Sequence, residues 1–426
     1  MSALIDSLLS ASKADVLADS FKYWNPDKVR AWADRGTPLV IGRRERYHLY
    51  DMSGHRLIDL HLNGGTYNLG HRNAEIIAEL KESFDHFDMG NHHFPAIGRA
   101  ALAKKLVETA PANMRYAVLS SGGGEAIDIG LKCARYATKR KKIVSIEKAY
   151  HGHTGLALGT ADGRYADQFM SAGRPDEFVK VPFNDLAAME AALAPGDAAC
   201  VIMETIPATY GFPLPADGYL PGVKALCESY GSLYVADEVQ TGLMRCGSGH
   251  LWGVTGYGVT PDIIVTSKGL SGGLYPIGAV ITNEAGGGWL NEDGWGHIST
   301  FGGSELGCVA ALKTLEITLR PETIANVDTV AAKLRAGLEV IQKKHTFFTG
   351  IRQRGVIFGL EFNTHPEGAK HVMRELYAKG IWAIFSQLDP RVLQFKPGLL
   401  LTPADCDEIL ERTEAGIAAA APSFQP

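Results

Sequence analysis

Apolar and polar positions along this chain keep different rhythms in different regions. Between about residues 100 and 285, short runs rich in Val and Ile alternate with longer stretches of helical period. The spacing predicts helices over 100–109, 124–138 and 220–230. It predicts strands over 116–120, 142–146, 198–204, 232–237, 262–266 and 277–282. Such alternation argues βαβ units, hence an α/β fold with a mainly parallel sheet covered by helices. Residues 46–62 alternate as a hairpin does, with the turn at Asp51-Met-Ser-Gly54, and residues 1–40 read as an amphipathic helix with an aromatic-rich lead, Phe21, Tyr23 and Trp24. Residues 304–344 read as helices and 350–426 as a smaller α+β unit, with a strand at 356–362 and helices at 367–379 and 405–420. The expected division is a large domain over 61–314 and a small C-terminal domain over 315–426, which the segment 1–60 joins.

Composition narrows the function. The 426 residues are 46% apolar and 21% charged, with net charge −5 and pI near 6.3. This is ordinary globular composition without a basic field for nucleic acid or anionic membrane, so small-molecule chemistry is the better expectation. The six cysteines are scattered with no CxxC pair, which favours free thiols in a reducing compartment. The first twenty residues lack a basic n-region, and no apolar run reaches spanning length, so the expected address is cytoplasmic.

Three apolar runs end in chemistry. Tyr116-Ala-Val-Leu-Ser-Ser-Gly-Gly-Gly-Glu-Ala126 delivers a glycine loop that opens a helix; free N–H groups there suit a phosphate, though a plain strand–helix turn would look the same. No Walker lysine follows, which disfavours a nucleoside triphosphate. Leu233-Tyr-Val-Ala-Asp237 ends in an acid, expected to be buried and to need a cationic partner. A protonated pyridine nitrogen at about 4 Å would supply roughly 4 kcal/mol at an effective dielectric of 20, about three pKa units. Ile263-Ile-Val-Thr-Ser-Lys268 places a lysine in a turn with Gly269, Gly272 and Gly273, a poor match to a solvated face and a good one to a desolvated Schiff-base amine. Together a lysine, an acid and a phosphate cradle are the parts needed to hold pyridoxal phosphate.

Competing patterns weigh less. Gly269-Leu-Ser-Gly-Gly273 matches GxSxG, but Leu274-Tyr-Pro-Ile-Gly-Ala-Val280 follows where a nucleophile elbow needs a helix. His92, His93, His151 and His153 invite a metal, yet no carboxylate stands at ligand spacing, so polar or packing roles are expected. Tyr150 could lay its ring on a cofactor or simply fill the core.

With these residues in hand, the chain resembles the class III (ω-type) aminotransferases, pyridoxal-phosphate enzymes of fold type I. The resemblance covers essentially the whole chain. It rests on Leu69-Gly-His71, the 120–135 loop and helix, Tyr150-His-Gly152, Gly218-Tyr-Leu220 and Ala236-Asp-Glu-Val-Gln-Thr-Gly242. Arg245, Pro261-Asp262, Ser267-Lys-Gly269 and Thr300-Phe-Gly-Gly303 complete it. It implies that Lys268 forms the Schiff base and later shuttles the proton, with a pyridoxamine phosphate intermediate. It implies further that Asp237 pairs with the ring nitrogen, that Val239 packs opposite Tyr150, and that Gln240 reaches the 3-hydroxyl. Gly123 and Gly124 would offer amides to the phosphate, and Glu204, at the family's acidic position near the cofactor, would join Lys268 and Asp237 as a catalytic residue. Thr300 would reach the phosphate of a neighbouring subunit, which implies a homodimer with shared sites. Tyr67, Thr209, Gln394 and Lys396 fall at positions facing substrate.

Three departures bear on chemistry. Gly124 stands where the family often has Ser or Thr. Gln394 stands where many members carry the arginine that grips an α-carboxylate, and Thr209 replaces the glutamate that gates it. Lys396 or Arg391 are the alternative cations. The expected activity is transfer of an amino group from an amine, not read through that arginine, to a keto acid or aldehyde. A lyase acting on an amino-alcohol phosphate, or an aminomutase, is the alternative on this scaffold; retention of Lys268, Asp237 and Gln240 argues against a non-catalytic relative.

Overall fold

A computed structural model describes residues 2–90, 93–171 and 176–425. Its centre is a seven-stranded sheet ordered Met114–Ser120, Gly278–Asn283, Ile263–Thr266, Leu233–Asp237, Ala198–Glu204, Lys142–Ile146, Phe178–Val181. The Gly278–Asn283 strand runs antiparallel to both neighbours, and the other pairings are parallel. The β-branched runs form the inner strands because helices cover both faces: every residue of Ala198–Glu204 and of Ile263–Thr266 is buried.

The expected strands are all present, with ends shifted by a residue or two. The edge strand Phe178–Val181 is not visible in the sequence pattern, because three of its four residues are only partly buried and the run is short. Helix Gly123–Thr138 packs on the sheet through Ile127, Leu131 and Ala134, and Gly130 lets it approach, since a methyl there would stand 3.1 Å from Val265. Pro321 divides the 304–344 region into Glu305–Thr318 and Pro321–Lys344.

A second, antiparallel sheet joins Gly350–Arg354, Ile357–Glu361, Asp389–Phe395 and Ile384–Ser386. The expected hairpin is a meander of Ile41–Glu45, His48–Asp51 and Arg56–Asp59, with Gly54 donating to the Asp51 carbonyl at 2.8 Å across the turn. Arg56–Asp59 pairs in parallel with Ile381–Trp382, so early and late parts of the chain share one sheet. The first forty residues depart from a single helix. They form Ala3–Leu9, Lys13–Asp19, a π-turn at Ser20–Trp24 and Pro26–Asp34, each of the helices opened by a Ser or Asn cap. Phe21, Tyr23 and Trp24 stay exposed on this chain.

Candidate active site

Adjacent parallel strands end together and set the site's geometry. Glu204 and Asp237 are register partners at the carboxyl ends of their strands, and Lys268 lies just past the next strand, Ile263–Thr266. Clefts outside the carboxyl ends of parallel strands are where open α/β sheets bind ligands. Lys268 opens a short 3-10 turn, Lys268–Ser271, with φ +43. Burial pushes its amine below the ordinary lysine range, and the carboxylates of Asp237 and Glu204 partly oppose that. A desolvated amine of this kind spends more time as the free nucleophile. Facing it is a left-handed turn in which Leu62, Asn63, Gly64 and Gly65 all have positive φ, 49, 47, 73 and 89°. A methyl on Gly64 would stand 2.9 Å from Lys268 Cε.

Asp237 is 4% exposed and held from two sides. Its Oδ1 accepts from the Val239 amide at 3.0 Å, and its Oδ2 lies 2.7 Å from His151 Nδ1. The neighbouring Glu204 accepts from the amides of Tyr150 and Ala208, both at 3.0 Å. Burial pushes its carboxyl up to about 7, with nearby Asp237 adding to the rise. Two strand-end acids thus sit side by side with different fixings.

The glycine loop forms the cavity's third wall. Gly123 and Gly124 begin helix Gly123–Thr138, whose N-cap Gly122 supplies no side-chain cap. Where a Gly124 side chain would begin, Thr154 Oγ1 lies only 2.8 Å away, so a larger residue at position 124 would need Thr154 to move. These walls, with Tyr150, Val239, Gln240 and Ser267, enclose a cavity of about 200 Å³.

Residues 31–417 match the family described as aminotransferase class-III. The chain belongs to that family. It is 42% identical over 402 residues, 94% of this chain and 93% of the other, to an uncharacterized aminotransferase of Archaeoglobus fulgidus. It is 30% identical over 376 residues, 86% of this chain and 79% of the other, to a putrescine aminotransferase of Pectobacterium atrosepticum. Among solved structures, the ornithine aminotransferase of Toxoplasma gondii ME49 superposes with TM-score 0.89 at 24% identity, covering 99% of this chain and 98% of that one, a likeness of fold. Class III aminotransferases are pyridoxal-phosphate enzymes of fold type I, and this cavity fits that group. Gln240 Oε1 is buried without a partner among the described residues, an acceptor waiting for a donor. The uncapped helix start offers amides to a phosphate, Asp237 offers a fixed carboxylate, and Lys268 offers the amine.

The remaining positions of the aminotransferase distribute unevenly. Gln394 is buried, donating Nε2 to the Ala208 carbonyl at 3.0 Å and accepting from Lys396 Nζ at 2.5 Å. Thr209 Oγ1 is buried without a partner among the described residues. Arg391 points outward and is engaged by Asp389 through two contacts of 2.8 and 3.0 Å, so it is no substitute cation. Tyr67 packs on His71, ring centroids 4.0 Å apart, beside Gly273, and does not line the cavity. Thr300 is exposed and does not line its own chain's cavity.

Sequence reasoning assigned His151 a polar or packing role and missed its place on Asp237; position next to Tyr150 after a strand was the available signal. His153 packs against Tyr150 and Tyr165, His93 lies tilted against Trp295, and His92 lies outside the described residues. Among the described residues no group of three potential metal ligands occurs. Ser271 of the GxSxG pattern donates to the Tyr275 carbonyl within the turn, with no helix behind it.

Proposed function

We propose that this aminotransferase takes its amino group from an amine lacking an adjacent carboxylate and passes it to a keto acid or aldehyde. The observation that carries this is the state of the arginine position. Gln394 stands there, tied into a hydrogen-bond chain, and Arg391, the nearest arginine in sequence, is engaged by Asp389. A bidentate Arg–carboxylate contact is among the stronger polar interactions, and glutamine cannot reproduce its charge. The similarity to a putrescine aminotransferase, a relative named for a diamine, supports the same direction.

The bound cofactor supplies an electron sink that stabilises charge on the substrate carbon. Lys268 Nζ would act as the base that takes the proton from that carbon and carries it away, since returning it to the same carbon would transfer no amino group. Asp237, oriented by His151 and the Val239 amide, would hold the ring nitrogen protonated, and Gln240 would contact the ring hydroxyl. Glu204, fixed by two amides, shapes the wall beside Asp237. Gly123 and Gly124 would receive the phosphate, and Thr300, exposed on its own chain, would serve the site of a second copy in a homodimer. Six buried free cysteines favour a reducing, cytoplasmic setting.

The test is a panel of donors with purified enzyme: putrescine and other primary amines, amino alcohols, ω-amino acids, alanine and glutamate, compared by kcat/KM. A non-α amine should lead. Glutamate leading by a wide margin, with no non-α amine turned over, overturns the reading.

A further inference from the structure

A second group of charges takes no part in the chemistry above. Where the strand Ile41–Glu45 meets the 69–74 connection, a broad cavity of about 570 Å³ opens, and it shares no lining residue with the catalytic cavity. Arg43, Arg44, Arg46 and Arg72 line it, against the single carboxylate of Glu45. Glu45 is engaged by Arg43 at 2.8 Å, and the Arg43 guanidinium also lies 3.8 Å from the Tyr50 ring centroid. Arg46 reaches Asp405 only at 3.4 Å. The guanidiniums of Arg44 and Arg72 have no partner among the described residues. In a chain of net charge −5 this is a local surplus of cations, and a concave wall of one sign focuses its field on the opposite charge.

The backbone is bent to bring these arginines together. Arg46 and Arg72 both hold positive φ, 49 and 55°, a conformation that glycine or asparagine adopts at less cost than arginine. Gly70 lets their two segments touch. A methyl there would stand 3.2 Å from the Arg46 carbonyl oxygen, which accepts from the His71 amide at 2.5 Å. Strain carried by two residues of one kind on one wall points to a use for their side chains. His71 is the independent sign. It lines the cavity, yet it is only 4% exposed. Its Nε2 is fixed on Asp59 Oδ2 at 2.8 Å, and its Nδ1 is buried without a partner among the described residues. With Nε2 on a carboxylate, the protonated ring has one donor left to place, and an oxyanion oxygen would satisfy it.

We infer that this cavity binds a compact, multiply charged oxyanion of the diphosphate or tricarboxylate kind, gripped by Arg44 and Arg72 and completed by Arg46 and His71. The site is independent of which amine the enzyme uses. A planar guanidinium fork matches two oxygens of one phosphate or carboxylate, which a lysine's point charge does not. Arg44 and Arg72 come from different segments, so a singly charged anion satisfies one of them and a multiply charged anion both. Arg43, already closed onto Glu45 and Tyr50, contributes the rim. The arginines are exposed, so solvent screening weakens each contact and binding depends on their acting together.

The experiment titrates the holoenzyme, whose phosphate cradle is filled by its own cofactor, with pyrophosphate and with citrate, by calorimetry at fixed ionic strength. At least one of them should saturate a single site per chain, and the tighter arm tells phosphate from carboxylate recognition. Acetate under the same conditions should not saturate. The double variant Arg44→Gln with Arg72→Gln should weaken the binding about tenfold, since exposed charge contacts are worth up to roughly fivefold each. Lys104→Gln with Lys141→Gln, which removes the same charge from exposed positions elsewhere, should leave it within about twofold. Arg44→Gln alone should weaken it about threefold and covers the case in which the double variant is unstable. Failure of both anions to saturate would overturn the assignment. Equal losses in the two double variants would also overturn it, because net charge and not a site would then account for the binding.

Discussion

Replacing Gly64 by alanine tests whether the left-handed turn exists to leave room for Lys268. The added methyl would stand 2.9 Å from Lys268 Cε and 3.4 Å from Cδ. Two costs arise. At φ +73° an L residue costs about 1–2 kcal/mol in the left-handed region. The contact itself involves the end of a flexible side chain, so Lys268 swings aside more cheaply than backbone moves. Recovering an ordinary contact of 3.4 Å from 2.9 Å needs a shift of about 0.5 Å at Cε. Since misplacing a reacting group by about 1 Å costs on the order of a hundredfold, half that displacement should cost about tenfold. The expected outcome is a melting temperature lower by a few degrees, a turnover number reduced at least about tenfold, and slower formation of the Schiff-base absorbance. Gly65→Ala is the control: its φ of +89° carries similar strain, but its methyl meets Asn68 and Arg245, not Lys268. If Gly64→Ala keeps full turnover, or if Gly65→Ala loses as much, the clearance argument is wrong.

Asp237→Asn should keep the fold and lose turnover on the order of a hundredfold or more, since a pair worth roughly 4 kcal/mol sustains about three pKa units at the ring nitrogen; near wild-type turnover would assign that task to another group. Lys268→Ala should still bind free pyridoxal phosphate but show no Schiff-base absorbance, and borohydride-reducible attachment at a different lysine would refute its role. Glu238, buried and accepting from Thr205 and the amides of Gly253 and Val254, has its carboxyl pushed up to about 7 by burial. A raised folded-state value means the native chain holds a proton that the unfolded chain releases near pH 4.5. That stabilisation, roughly 3 kcal/mol at 1.36 per unit, is full below about pH 4.5 and is lost as pH rises through 7. Denaturant titrations between pH 5 and 8 should therefore be flatter for Glu238→Gln than for wild type; parallel curves would refute this.

What the sequence made legible was whatever burial on two faces imprints as an unbroken apolar run. Leu233–Asp237 and Ile263–Thr266 announce themselves that way, and their chemistry stands at the ends, so Asp237 and Lys268 could be read directly. Phe178–Val181 could not, because an edge strand carries a weaker pattern. The departure at Gln394 was visible only through the family resemblance. Its consequence, an amine at Lys396 with one partner, needed three dimensions, because pairing register decides which residues of Asp389–Phe395 face inward. The His151–Asp237 contact, between residues 86 apart in sequence, and the left-handed run at 62–65 leave no periodic trace at all.

Every cysteine of the chain, Cys133, Cys200, Cys227, Cys246, Cys308 and Cys406, is buried and free. Burial pushes the thiols of Cys133 and Cys406 up to about 11 and those of Cys227 and Cys308 up to about 12. Alkylating reagents attack the exposed thiolate, so the folded chain should be nearly silent toward iodoacetamide while its opened forms react. The six positions sample a sheet-covering helix, an inner strand of the seven-stranded sheet and the C-terminal helix among others. Site-resolved alkylation thus turns an unmodified chain into a set of clocks, each timing how often its own neighbourhood comes apart.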